Sequence, residues 1–362
     1  MSDTLILRRP AARLVACLER YWGRFDDDLG ALPTLRDLRR DVADLHRTKW
    51  SANARRALLD MGPESSTEAM PKMKVVLGFD METDVGSFTP FYEGVKHGTP
   101  VLLDLLERHD VTATFYFTGD CVKKNPSSAP SVREAGHEVG CHSVYHETVG
   151  DQLFDIPGIP PLLPEEVPNR LRVATEWVEQ SAGERPVSWR CPRLFGSTAV
   201  VRGLEDLGYV TDATYPMYRF RDRLTPYHPS RDDWTQEGDM NILELPNFAD
   251  LSMDSEDPLG RDMDQWPLFR TESAAALITH IDGFIGYCAE RDVDPFLCFY
   301  LHPWEFHEMP QGEMHFGEAS VRPDPFIVKN CGRYATEQLD VLITELKGRG
   351  AAFYQAREVA AE

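Results

Sequence analysis

Several features that mark other classes of protein are missing from this 362-residue sequence. It has no excess of basic residues, because 59 acidic side chains outnumber 38 lysines and arginines and give a formal net charge of -21. Nucleic-acid binding depends largely on basic side chains that neutralise phosphates, so no nucleic-acid partner is predicted. It also has no run of about 18 uncharged apolar residues, so no membrane partner is predicted.

Cysteine is sparse and shows no pairing pattern. The seven cysteines are scattered from Cys17 to Cys331 without CxxC pairs. An odd, scattered set argues against a disulfide framework and against a thiolate metal site. The N-terminal residues do not combine an apolar stretch with a small-residue cleavage site, as a secretory signal does. These absences favour a cytoplasmic protein whose cysteines are reduced and mostly structural.

Two regions differ in their hydrophobic patterning. Leu35, Leu38, Val42 and Leu45 follow one another at three- and four-residue steps, which traces the apolar face of a helix. The stretch GPESSTEAMPK, at 62–72, is rich in residues that break helices and strands. The sequence therefore predicts a helical N-terminal extension and linker over 1–72, and a second domain over 73–362.

The second domain alternates short strand-like runs with longer helical ones. KVVLGFD, VTATFYFTG, EVGCH and PFLCFYLH read as strands, and helices are predicted near 164–182, 198–207, 271–290 and 332–349. Strands separated by helices imply a parallel sheet covered on both faces, and the length suits an α/β protein of the (β/α) barrel type. The stretches 147–163, 213–240 and 307–329 lack periodicity and are predicted to be loops over a functional site.

Polar residues stand where the predicted strands end. Asp80, His142, Arg190, Asp212 and His302 each lie at or just beyond the C-terminal end of a strand-like run. In parallel α/β folds this edge of the sheet is where ligands bind and catalytic residues gather. We therefore expect these five side chains to face one mouth of the barrel.

A metal site is predicted from two histidines and two carboxylates. His142 and His146 form an HxxxH pair, which on one helical turn would place both imidazoles on the same face. Asp80 and Glu82, two apart in GFDMETD, would point the same way from a strand. One carboxylate could complete the metal site while the other acts as general base. Such ligands suit zinc, with cobalt, nickel, manganese or iron as alternatives.

The chemistry of three further side chains predicts roles for them in the site. The guanidinium of Arg190 could orient a carboxylate through a bidentate pair. His302 follows a strongly apolar strand and is a candidate general acid, because its unperturbed pKa lies near neutrality. Asp212 could orient His302, pair with Arg190, or simply cap the backbone.

The ordered set FDMET, GHEVGCHSVYHE, WRCPRLFG, YVTDATYP and LHPWEF resembles the five motifs of the polysaccharide deacetylase (NodB homology, carbohydrate esterase 4) family. The resemblance implies a distorted (β/α) barrel with fewer than eight strands, and a divalent metal held by Glu82, His142 and His146. It also implies catalytic roles for Asp80 as base, His302 as acid, Arg190 and Asp212. An aromatic common in the third motif is replaced here by Arg193.

The resemblance leaves three functions open. The first is N-deacetylation of an N-acetylated sugar or oligosaccharide. The second is hydrolysis of small amides, cyclic imides or ureides, because the motif pattern is similar to that of cyclic imide hydrolases and allantoinase-like enzymes as well as of peptidoglycan-deacetylase-like proteins. The third is a non-catalytic barrel that binds its ligand. Whether the chain forms a homo-oligomer is also left open.

Overall fold

The computed structural model describes residues 73–362, except Ser87 and Pro157. The helical extension predicted for 1–72 lies outside these residues, so it and its boundary remain predictions. Within the described part of the chain, no helix is long and apolar enough to cross a lipid bilayer.

Seven strands form the wall of a barrel. They are β1 (Lys74–Met81), β2 (Thr114–Phe117), β3 (Glu138–Cys141), β4 (Ser188–Trp189), β5 (Thr211–Asp212), β6 (Leu243–Glu244) and β7 (Phe296–Leu301). A short hairpin, β8 (Met314–Phe316) with β9 (Ala319–Val321), and a last strand, β10 (Ala352–Tyr354), complete the set. The strand-like runs of the sequence therefore form strands.

Helices connect the strands. They are α1 (Thr99–His109), α2 (Gly119–Lys124), α3 (Ser128–Glu134), α4 (Val167–Ala182), α5 (Thr198–Asp206), α6 (Met217–Phe220), α7 (Leu268–Thr271), α8 (Ala274–Ala289), α9 (Arg333–Gly348) and α10 (Ala356–Val359). Side-chain oxygens of Ser197 and Ser273 accept hydrogen bonds from the first turns of α5 and α8. These caps fix where both helices begin.

The sheet is parallel and curls on itself. The order runs β10, β1, β2, β3, β4, β5, β6, and β7 pairs with the other side of β1. A parallel bridge between Asn247, just after β6, and Cys298 in β7 brings the two ends of the sheet together. The distorted (β/α) barrel is thereby confirmed. Its curled wall has seven strands, and β10, paired with the first residues of β1, is an eighth strand of the same sheet.

The barrel wall is buried on both faces, as the sequence predicts. Every residue of β7 and seven of the eight residues of β1 are buried. Continuous apolar runs of this kind are typical of strands covered by helices.

The predicted loops are not all irregular. The chain forms the β8–β9 hairpin within 307–329, and 213–240 contains α6.

Candidate active site

The C-terminal ends of the strands surround one cavity of about 590 Å³. Asp80 and Glu82 reach it from the end of β1, and His302 reaches it from the end of β7. His146 lines it from the loop that follows β3. Of the five side chains predicted to face one mouth, Asp80 and His302 line this cavity, whereas the other three are buried and do not line it: His142, Arg190 and Asp212.

Glu82, His142 and His146 form a buried cluster with the composition of a metal site. One ligand atom from each lies within 4.8 Å of the others. Glu82 Oε1 and His142 Nε2 are buried and have no hydrogen-bond partner within the described residues. Buried polar atoms without partners cost free energy unless something else binds them. A carboxylate and two imidazoles fit a divalent metal of the zinc type, and the three predicted ligands are the residues brought together.

The environment of the cluster favours the protonation states that a metal requires. Burial lowers the pKa of His146 to about 4, so its imidazole is neutral near pH 7. Burial would raise the pKa of Glu82, but the adjacent imidazoles of His146 and His142 hold it well below its usual value. His142 Nδ1 lies 2.8 Å from the Arg190 carbonyl, which turns Nε2 toward Glu82. A neutral imidazole and an ionised carboxylate are the forms that bind metal.

The predicted helical turn between His142 and His146 is wrong. Residues 142–150 form an irregular loop, and Ser143 and His146 have positive φ angles of 68° and 60°. The carboxylate of Glu147 accepts hydrogen bonds from Ser143 Oγ and from the backbone N–H of Tyr145, which stabilises this loop. The two imidazole rings nevertheless lie 5.1 Å apart, so the pair is assembled by a turn instead of a helix.

Asp80 is held by a buried arginine. Arg190 Nη1 donates to Asp80 Oδ1 at 2.8 Å, while its Nε and Nη2 donate to the carbonyls of Ala213 and Phe299. The carboxylate predicted for Arg190 is therefore that of Asp80, and the contact uses one guanidinium nitrogen instead of a bidentate pair. Gly78 makes room for it, since a Cβ there would lie 2.3 Å from Nη1. The arginine thus lies inside the barrel wall and fixes the Asp80 carboxylate.

His302 is held by a glutamate that the sequence reasoning missed. Its Nδ1 lies 3.0 Å from Glu305 Oε1, and its Nε2 lies 3.8 Å from Glu82 Oε1. Glu305 sits on a 3₁₀ turn, Pro303–Phe306, and its other oxygen accepts from Arg270 Nε. Burial would lower the pKa of His302, but the Glu305 hydrogen bond and nearby carboxylates raise it. His302 is thereby favoured as a proton donor.

Asp212 does not have either of the charged partners expected for it. In the described structure it makes no ion pair with His302 or Arg190, and Thr214 Oγ1 donates to its Oδ1. Burial raises its pKa to about 7, and its carboxyl is coupled to that of Glu244, whose pKa burial raises as well. Glu244 Oε1 accepts from the backbone N–H groups of Thr214 and Tyr215. Glu244 therefore braces the loop after β5.

The three predicted loops contribute to the cavity wall. Phe154 and Ile156 come from 147–163, Tyr218 comes from 213–240, and Val321 and Ile327 come from 307–329. Trp266 and Trp304 add aromatic surface beside His302. The cavity thus combines apolar surface from these loops with charged groups from the strand ends and from the loops themselves.

The chain is thus a curled parallel (β/α) barrel with a candidate metal site, one carboxylate and two histidines, at its mouth. Residues 67–211 match the family model described as polysaccharide deacetylase. This match supports the assignment to the polysaccharide deacetylase (NodB homology, carbohydrate esterase 4) family that the motifs predicted.

Two bacterial relatives show the range of the match. The chain is 30% identical over 126 residues to the peptidoglycan-N-acetylmuramic acid deacetylase PdaA of Bacillus subtilis, and these residues cover 34% of this chain and 44% of PdaA. It is 26% identical over 145 residues to a peptidoglycan-N-acetylglucosamine deacetylase of Bacillus cereus, and these residues cover 40% of this chain and 58% of that protein. The chain therefore spans about half the length of these relatives.

Solved structures share the fold. A Mycobacterium smegmatis protein grouped with the polysaccharide deacetylases has a TM-score of 0.53 at 20% identity, covering 82% of this chain and 91% of that one. An allantoinase, Puue, has a TM-score of 0.51 at 13% identity, covering 81% and 91%. At these identities the likeness supports the barrel architecture alone.

Proposed function

We propose that this chain is a metal-dependent hydrolase of carbon–nitrogen bonds other than peptide bonds, which removes the acetyl group from an N-acetylated sugar or oligosaccharide. The observation that carries the proposal is the buried set of Glu82, His142 and His146 at the base of the cavity, with Asp80 and His302 beside it. The family assignment and the names of the matched deacetylases support the reaction class.

The metal would be held by Glu82, His142 and His146, and zinc suits this donor set. When bound, such a metal polarises an acyl oxygen and makes water more acidic. Asp80 is proposed as the base that accepts the proton of the attacking water, because Arg190 fixes its carboxylate at the cavity edge. Arg190 thus positions the base without contacting the cavity itself.

His302 is proposed as the general acid. Its Nε2 faces Glu82 across the cavity while Nδ1 is engaged by Glu305. A histidine held in this way can keep a proton on Nε2 and deliver it to the leaving nitrogen when the acyl bond breaks. Base and acid therefore approach the scissile bond from different strands, β1 and β7.

A cytoplasmic location remains a prediction from the sequence.

The test is to measure metal content and product release together. Purified wild type is compared with the double variant His142→Ala/His146→Ala, and each is assayed for acetate release from an N-acetylated sugar and for ring opening of a small cyclic imide. His315→Ala is the matched control, because His315 is an exposed histidine of the β8–β9 hairpin. The wild type and the control are expected to bind metal and release acetate, and the double variant to do neither.

Each other outcome points to a different function. Metal binding with imide opening and no acetate release would replace the deacetylase by an amidase of small substrates. Metal binding with neither product would favour a binding protein on the same barrel. Wild type that takes up no metal after divalent ions are added back would refute the catalytic proposal.

A further inference from the structure

Arginines are concentrated in the cavity wall of this acidic protein. Arg193, Arg261 and Arg322 all line the cavity, although acidic residues outnumber basic ones in the whole chain by 59 to 38. They are distinct from Arg190, which lies in the barrel wall against Asp80. The question is therefore which of these three charges is directed at a ligand.

Arg322 and Arg193 have evident structural partners. The Arg322 side chain is 73% exposed and lies 3.6 Å from Glu313 Oε2, so solvent and a carboxylate already screen it. Arg193 Nη1 donates to the carbonyl of His146 at 2.9 Å. That bond supports the loop of a predicted metal ligand. Either residue can contribute positive charge to the cavity, but each already has a role in the fold.

Arg261 differs from both. It is partly buried, it lies 5.3 Å from the centroid of the Phe154 ring, and within the described residues no carboxylate lies within ion-pair distance of its guanidinium. Asp264 attracts it electrostatically, but the carboxylate of Asp264 is engaged by the Tyr300 hydroxyl and by the Trp266 N–H. A partly desolvated guanidinium without a direct anionic partner is a costly feature unless a ligand completes it.

The carboxylates that share the cavity do not cancel this charge. Asp80 is paired with Arg190, and Glu82 belongs to the proposed metal cluster. Asp155 is exposed, and Asp324 accepts from the backbone N–H of Phe326 in its own turn. Phe154 and Tyr218 line the same cavity, and Asp264 and Asp257 act on Arg261 electrostatically without reaching ion-pair distance among the described residues. In such surroundings a charge-assisted hydrogen bond is stronger than in water.

We infer that the substrate of this site carries a carboxylate in addition to its N-acyl group, and that Arg261 is the residue that receives it. This inference rests on the proposed function, because it concerns the substrate class of the same cavity. Arg193 adds a second positive charge to the wall of the same cavity. Arg261 would thereby select acidic N-acyl compounds over neutral ones.

The test uses ligands that differ only in charge. N-acetylmuramic acid and its methyl ester share the sugar, the N-acetyl group and the lactyl ether, and only the first is an anion. Binding of both to metal-loaded full-length protein is measured by calorimetry, and kcat and KM are measured for both by acetate release. The acid is expected to bind about 10- to 100-fold more tightly than the ester, the range of a hydrogen bond to a charged group.

Two variants separate recognition from general effects. Arg261→Met is expected to remove the preference for the acid, through a higher KM and weaker binding. Arg322→Met is the matched control, because it removes a more exposed arginine of the same cavity, and it should change the acid-to-ester ratio by less than about twofold. Metal content of both variants is expected to equal that of wild type.

The outcomes also separate this inference from the proposed function. Equal affinity of wild type for acid and ester, or an equal loss for both ligands in Arg261→Met, would overturn the carboxylate receptor. If neither the acid nor the ester binds to protein that deacetylates a neutral N-acetylated sugar, the inference is overturned as well. Selective binding of the acid without acetate release would support the receptor while contradicting the deacetylase.

Discussion

The site has two flanks, the β1 flank around Asp80 and the β7 flank around His302, and each places a buried arginine against a buried carboxylate. On the β1 flank, Asp80 is held by Arg190, a residue of the barrel wall that also donates to two backbone carbonyls. On the β7 flank, His302 is held by Glu305, and Glu305 is held by Arg270. In both cases a fully buried guanidinium donates a hydrogen bond to a buried carboxylate.

The difference lies in what the carboxylate does. On the β1 flank the carboxylate itself faces the cavity, so the arginine acts on the proposed base directly. On the β7 flank the carboxylate lies behind the histidine, so the arginine acts on the proposed acid through one intermediary. Loss of Arg190 should therefore leave Asp80 unable to act as the base. A change at Glu305 should instead shift the pKa of His302 while His302 stays in place.

The largest effect is expected from Arg190→Met. It leaves Asp80 buried without its positive partner and leaves the carbonyls of Ala213 and Phe299 without a donor. Breaking a buried ion pair from one side costs about 3–5 kcal/mol of unfolding free energy. Urea denaturation should show this loss, and acetate release should fall by about 100-fold or more if Asp80 is the base.

A surface ion pair provides the control for that variant. Arg333 Nε lies 2.7 Å from Glu337 Oε1 and its side chain is 88% exposed. Arg333→Met removes the same charge from a solvated position, so the unfolding midpoint should hardly move. Equal stability of the Arg190 and Arg333 variants would contradict the view that Arg190 is the anchor of the β1 flank.

A smaller and more specific effect is expected from Glu305→Gln. The hydrogen bond and charge of Glu305 raise the pKa of His302 against the effect of burial, so removing that charge should lower the pKa. The protonated acid is lost as pH rises through this pKa, hence the alkaline limb of the kcat/KM profile should move to lower pH. Activity at neutral pH should lose part of the roughly 100- to 10,000-fold that general acid catalysis contributes.

Glu308→Gln is the matched control for the pH profile. Glu308 lies three residues further along the chain and is exposed. Its amide variant should keep the alkaline limb of the wild type. A profile for Glu305→Gln that keeps its shape while its height falls would contradict the coupling of Glu305 to His302 and leave only a structural role.

The sequence predicted the β1 flank better than the β7 flank, for a physical reason. Asp80, His142, Arg190 and His302 all end apolar strand-like runs, and parallel strands bring such positions to one edge. Glu305 had a local signal, since a glutamate three residues after His302 with a proline between is a capping pattern that the structure confirms.

Other features had weaker signals. Arg270 is 35 residues from Glu305, and nothing local in the sequence connects them. Glu244, by contrast, lies in the run NILELP and is the last residue of β6, so the strand-end rule that identified Asp212 could have found it. The HxxxH spacing misled because Ser143 and His146 adopt left-handed backbone conformations, which spacing alone does not reveal.

Asp212 and Glu244 show what happens when a buried carboxylate has no guanidinium against it. Burial raises the pKa of Asp212 to about 7 and raises that of Glu244 as well, and the two are coupled. The folded protein therefore holds protons that the unfolded chain releases above its carboxyl pKa values of about 4. Unfolding free energy should fall as pH rises from about 4 to about 7, unlike the contribution of an arginine-paired acid.

Glu244→Gln gives the smallest expected effect and tests this contrast directly. The amide keeps an oxygen for the N–H groups of Thr214 and Tyr215 and can donate to Asp212 Oδ2, while it never needs to lose a proton. The variant should gain about 1 kcal/mol over wild type at pH 8 and nothing at pH 4, as urea denaturation at the two pH values will show. Glu290→Gln, at a side chain that is 79% exposed, should shift neither. If Glu244→Gln is equally destabilised at both pH values, the pKa of Glu244 does not differ between the folded and the unfolded chain, and its role is confined to the hydrogen bonds with Thr214 and Tyr215.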